Sequence, residues 1–102
     1  MVRLLVLYGQ PTDPAAFDRH YREVHVPLAR KLPGLRRYTI SAGVRALQGT
    51  APYLVAELDF DDRAAFRQAM EAPEGRAVAA DLPGFATGGA TLLLYEVEDV
   101  TA

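Results

Sequence analysis

Apolar residues in this chain gather in four short blocks, and they recur at helical spacing in two of the stretches between those blocks. Val2 to Tyr8 (VRLLVLY) is the first block. It is β-rich, short and stopped by Gly9 and Pro11, so it reads as a strand. Both of its faces are apolar past Arg3, which predicts cover on both sides. Asp13-Pro14 is a helix start: Asp13 is placed to accept orphan N–H groups, and Pro14 has the φ wanted at a first helical position. Phe17, Tyr21, Val24, Leu28 and Leu32 then form one stripe of 3.6-residue period. Pro27 interrupts it. Proline cannot donate to the Glu23 carbonyl, so a kink or break is expected there. Leu32-Pro33-Gly34 ends the helix.

A second strand is expected over Arg37–Val44, with Tyr38, Ile40 and Ala42 on one face, and Gln48-Gly49-Thr50 is a turn. A third strand is expected over Tyr53–Phe60 (YLVAELDF). Asp61 or Asp62 caps the next helix, whose stripe is Phe66, Ala69 and Met70. Pro73 interrupts that helix, and a further short one runs from Pro73 to Leu82, closed by Pro83-Gly84. Thr91 to Val97 is the last strand. The order βαββαβ predicts an α+β fold: a ferredoxin-like sandwich with two helices on one face of a four-stranded antiparallel sheet. Residues 1–97 are read as one domain and 98–102 as an acidic tail.

Two helical segments cover only one sheet face. Yet Leu4 to Leu7 and Leu92 to Leu94 place apolar side chains on both. A bare face of that kind exceeds what monomers usually expose. A second copy packing sheet to sheet is therefore expected, giving a dimeric barrel-like core. The alternative is cover by the tail or by loops. Size points the same way, because 102 residues bury only roughly 60–65% of their unfolded surface.

Composition narrows the function classes. There is no Cys, so disulfides, thiolate nucleophiles and zinc-finger ligand sets are excluded. Eleven basic and thirteen acidic side chains give a net charge of −2, which argues against nucleic acid as a partner. No apolar run approaches the ~20 residues of a membrane helix. The first residues lack the pattern of a secretory leader, so a cytoplasmic location is expected.

His20 and His25 are the two histidines, both on the first helix. At 100° per residue, His25 falls on the buried flank beside Tyr21, while His20 falls toward solvent. An imidazole beside an opened helical turn can take or give a proton near pH 7. Tyr21 lies one turn earlier, and Tyr38 shares the packed face of its strand; buried phenols need partners, which a polar cavity supplies. The bland alternative is that His25 merely packs. Five residues separate the histidines, so on an α-helix they diverge by about 140°. No metal site is expected from them, and no cofactor. Nor is there a GxxxxGK[ST], GxGxxG or GxSxG pattern.

The runs HYREVHVPLARKLPGL (His20 to Leu35) and APEGRAVAADLPGF (Ala72 to Phe85) resemble the EthD family, small dimeric α+β-barrel proteins. Tyr21, His25, Pro27, Leu28, Pro33, Gly34 and Leu35 match one family run. Glu74, Gly75, Ala80, Asp81, Leu82 and Phe85 match the other. Ala72 departs from the family's frequent Ser, which removes a helix cap worth about 1 kcal/mol. The resemblance implies a homodimer of ferredoxin-like subunits. It implies no settled activity. Related dimeric barrels include isomerases, cyclases and monooxygenase-like proteins, several of which place a His and tyrosines in a cleft between helices and sheet.

Three readings follow. In the first, the protein acts on a small oxygenated apolar metabolite, with His25 and Tyr21 catalytic and Tyr38, Tyr8 and Phe66 contacting substrate, as in an isomerase, cyclase or monooxygenase-like enzyme. The second is a non-catalytic carrier in a catabolic or oxygenase pathway. The third is a structural dimer in which His25 only packs.

Overall fold

The structure is a computed structural model that describes residues 1–101; Ala102, the last residue of the expected tail, lies outside the described residues. Strand β1 (Val2–Tyr8) is followed by helix α1 (Pro14–His20), a π-helical turn (Tyr21–His25) and α2 (Val26–Arg30). Then come β2 (Arg37–Ile40), β3 (Leu54–Phe60), α3 (Arg63–Glu71), α4 (Pro73–Phe85) and β4 (Ala90–Glu96). The strands form one sheet in the order β2-β3-β1-β4 with every neighbouring pair antiparallel. This is the ferredoxin-like α+β arrangement read from the sequence.

Register decides what each face carries. Val2, Leu4, Val6 and Tyr8 of β1 lie opposite Phe60, Leu58, Ala56 and Leu54 of β3. These residues share the helix-covered face, and all but half-buried Leu54 are buried. Leu5 and Leu7, on the other face, are half-buried. Each fully buried large side chain on the covered face contributes about 1.5–3 kcal/mol.

Several details differ from the pattern-based reading, among them β3, which starts at Leu54 rather than Tyr53. Strand β2 stops at Ile40 rather than Val44, because Gly43 turns the chain at a φ of +126°. Ser41 still latches the strand end: its N–H donates to the Val55 carbonyl, and its Oγ accepts from the Val55 N–H. Helix α4 runs through Pro83 to Phe85 instead of closing at Pro83-Gly84. In the last turn, proline's missing N–H removes a single helical bond. β4 is shifted by one residue, to Ala90–Glu96.

The difference at Pro27 matters most. Pro27 does not break the first helix, which continues from α1 through the π-turn into α2. The strain is taken up one turn earlier, where the Val26 N–H donates to the Tyr21 carbonyl five residues back. A π-turn holds one extra residue, so everything after it is rotated relative to an α-helix. The buried stripe becomes Phe17, Tyr21, His25, Ala29 and Leu32, while Val24 is turned out to solvent.

Helices α3 and α4 meet closely at Gly75, which is buried. A Cβ there would press into the backbone of Ala69 and Met70. Asp62 caps α3 by accepting from the Ala65 N–H, whereas Ala72 gives α4 no side-chain cap. The latter is the consequence expected of Ala at that position.

Candidate functional site

The π-turn places Tyr21 and His25 on the inner side of the helix, above the covered sheet face. Between them lies a cavity of about 120 Å³. Its walls come from Leu4, Val6 and Tyr8 of β1, Leu58 of β3, Tyr38 of β2, and Val78 and Leu82 of α4. The lining is largely aliphatic and aromatic. Most ligand pockets exceed about 300 Å³; this one offers space on the order of a single aromatic ring.

Polar groups enter the cavity at two places. Tyr21 and Tyr38 join hydroxyl to hydroxyl at 2.6 Å. Burial foremost raises the pKa of both phenols, so each keeps its proton near neutral pH. Tyr8 stands edge-on to Tyr21 with ring centroids 5.6 Å apart, and burial raises its pKa too. The second polar group is His25, which is buried. Its Nδ1 lies 2.9 Å from Oδ2 of Asp81 on α4.

Asp81 also receives His20. The Nε2 of His20 lies 2.8 and 3.0 Å from the two Asp81 oxygens. Desolvation pushes the Asp81 pKa up, but the bonds from His25 and His20 outweigh it and hold the pKa below the ordinary carboxylate value. The carboxylate is therefore ionised and can only accept, so His25 Nδ1 and His20 Nε2 each carry a hydrogen. For His25, burial foremost lowers the pKa, and the Asp81 bond opposes this without cancelling it. His25 is thus neutral near pH 7. Its Nδ1–H donates to Asp81, and its Nε2 is a free lone pair with no hydrogen-bond partner among the described residues.

The expectation that the two histidines diverge by about 140° does not hold, because it assumed α-helical pitch throughout. Five residues close one π-turn, so His20 and His25 come to the same side and meet one carboxylate. His20 was read as a solvent-facing side chain. Its side chain is 35% exposed, against 8% for His25, but it is bonded. Phe85 stacks on His20 with centroids 5.1 Å apart and tilts against His25 at 4.7 Å.

Of the residues expected at a site, His25, Tyr21, Tyr38 and Tyr8 line this cavity together. Phe66 does not; it packs edge-on against Phe60 elsewhere in the core. Asp81 and Phe85 stood in the A-D-L…F run without an assigned role. Their spacing of four residues on one helix was the available signal. No group of three or more His, Asp or Glu fit to hold a metal occurs among the described residues. Arg36 is engaged by Asp61 in a two-pronged ion pair.

Comparison with known proteins agrees with this architecture. The model of the EthD domain matches residues 9–89. The chain belongs to the EthD family. It is 41% identical over 102 residues to the uncharacterised 11.0 kDa protein in the thcB-thcC intergenic region of Rhodococcus erythropolis, covering 98% of each chain. An EthD family protein from Bacillus halodurans is also 41% identical, with 96% of this chain and 99% of that one superposed at a TM-score of 0.89. A dimeric ferredoxin-like protein of unknown function from Thermobifida fusca shares the fold at 16% identity, over 94% and 90% of the two chains, with a TM-score of 0.73. No helix among the described residues is long and apolar enough to cross a membrane.

Proposed function

We propose that this EthD-family chain binds a small oxygenated, largely apolar molecule in the cavity between helices and sheet and moves a proton on it through His25. One observation carries the reading. His25 is anchored by Nδ1 to an ionised carboxylate at 2.9 Å, while its ring forms part of an otherwise apolar cavity wall. An anchored neutral imidazole with a free Nε2 is a general base. The Tyr21–Tyr38 hydroxyl pair supplies the hydrogen-bond donor for a carbonyl or phenolic oxygen.

In the simplest step, Nε2 takes a proton from a carbon next to a carbonyl. The C–H bond breaks, its electron pair moves into an enolate, and the tyrosine hydroxyl donates to the enolate oxygen. The resulting imidazolium is stabilised by Asp81. In a substrate with a β,γ-double bond the enolate is a dienolate, and return of the proton to its γ-carbon shifts the double bond and completes an isomerisation; attack by the carbanion on a second carbonyl begins a cyclisation.

The functional unit in this reading is a homodimer. β4 carries four consecutive apolar residues, Leu92 to Tyr95, each 40–50% exposed. Leu93 and Tyr95 face away from the helices, beside Leu5 and Arg3. A second copy packed on that open face would cover them.

The test is hydrogen exchange into small molecules in D₂O. Ketones and phenols of one-ring size are incubated with the protein and examined by mass spectrometry. The reading expects deuterium incorporation above background by the wild type, lost in His25→Gln with an unchanged melting temperature. A ligand that binds in the cavity with no incorporation anywhere in the panel favours a carrier instead. Destabilisation of His25→Gln with no ligand found favours a packing role.

A further inference from the structure

We propose that His20 is a positioning residue that sets the basicity of His25 through the carboxylate they share, coupling the outer cleft to the inner cavity. The proposal deepens the reading of His25 as the proton-transfer group and rests on it for its use.

The geometry places Asp81 between two compartments. On its inner side stands His25, in the wall of the apolar cavity. On its outer side stands His20, in the wall of an open cleft of about 370 Å³. That cleft lies over Phe85 and Thr87, with polar Thr12, Asp13, Arg19 and Glu23 beside apolar Ala16, Phe17 and Val24. Phe85 fills the space between the two rings. The histidines therefore communicate through Asp81 and through their own charges.

One carboxylate carries one negative charge. With neutral His20, that charge is available to the imidazolium that forms when His25 takes a proton. When His20 is itself protonated, its cation neutralises Asp81 and repels a second cation across the carboxylate. His25 is then the weaker base. Two imidazoles on one carboxylate consequently titrate as a coupled system. Protonation of the outer ring, or an anion drawn to it in the cleft, thus alters what the inner ring can do.

The charged and titratable groups facing the pair are few. Arg19 and Glu23 come from the same helix, Asp13 from its start and Asp81 from α4. Tyr21 lies against His25 at 5.3 Å between ring centroids, and Tyr8 approaches from β1 on the cavity side.

The test is a pH titration of ¹⁵N-histidine-labelled protein by NMR, comparing wild type with His20→Gln. Glutamine keeps a donor for Asp81 but has no proton to gain. In the wild type, the His25 signals are expected to show two inflections, one following His20. In His20→Gln they are expected to show a single inflection, with its midpoint moved to higher pH. A second variant, Asp81→Asn, guards against misfolding of the first: its His25 midpoint should move down, and the inflection that follows His20 should weaken. An unchanged His25 midpoint in His20→Gln, with one inflection in both proteins, overturns the coupling. That outcome would leave deuterium incorporation by the wild type untouched, whereas absent incorporation would leave the titration untouched.

Discussion

The two faces of the sheet are built from the same strands and finished to very different degrees. On the covered face, alternate residues of β1 and β3 meet the helices, and the side chains close down to a cavity of about 120 Å³. On the open face, Leu5, Leu7 and Val55 are only half-buried, and Leu93 and Tyr95 stand well exposed. On the open face Arg3 grips buried Asp59 at 2.7 and 3.2 Å. The covered face has all of the candidate chemistry. The contrast teaches that a single chain closes the cavity on one face of its sheet and leaves the other face uncovered. Side chains on the covered face are closed over by the helices, and those on the open face are left without cover by the described residues.

Substitutions should separate the two faces. The largest expected effect is on the open face. Leu93→Arg should convert a dimer of about 22 kDa, twice the 11.1 kDa chain mass, into a folded monomer. Light scattering after size-exclusion chromatography reads this, and a wild type that is already monomeric would remove the contrast. Next comes Phe85→Ala on the covered face. It removes the ring that packs Tyr8, Phe17, Tyr21 and both histidines together. A loss of about 3–5 kcal/mol is expected in denaturant unfolding. Gly75→Ala should cost about 1–3 kcal/mol by forcing α3 and α4 apart, again without changing a dimer's assembly. Tyr38→Phe should cost about 1 kcal/mol by leaving the Tyr21 hydroxyl without its partner.

Stability against pH sharpens the same comparison. Burial lowers the His25 pKa from 6.5, so the unfolded chain binds a proton that the folded chain resists. The stability this group contributes is complete above pH 6.5 and is lost as pH falls from there through the lowered folded value. Melting temperatures of wild type and His25→Gln, compared over that interval, should diverge, with the variant showing the flatter curve. Parallel curves would contradict a buried neutral imidazole.

Much of the fold was legible in the sequence because strand alternation, Asp-Pro and Pro-Gly punctuation are local signals. β1, β3 and the Asp13 and Asp62 caps needed nothing beyond a few neighbouring residues. The open face was legible for the same reason, since Leu92-Leu93-Leu94 has no polar alternate. The site was legible only in part. Pro27 announced a disturbance, but whether a helix answers with a kink or a π-turn depends on what packs against it. Here the partner is Asp81, 56 residues after His25. Stepping 100° per residue across that turn put Val24 inside and His25 far from His20; with one extra residue in the turn Val24 is exposed and both histidines meet Asp81. The role of Asp81 was hidden because its partners lie on another helix.

The central claim is that Asp81 holds His25 as the neutral Nδ1–H tautomer, with Nε2 left for a ligand. Long-range ¹⁵N–¹H NMR of the histidine rings, taken above pH 6.5, reads the tautomer directly. The expected result is a protonated-type Nδ1 signal and an unprotonated-type Nε2 signal for His25, with Nε2 moving when a one-ring ketone or phenol binds. A proton on Nε2, or an Nε2 signal indifferent to every bound ligand, would contradict it.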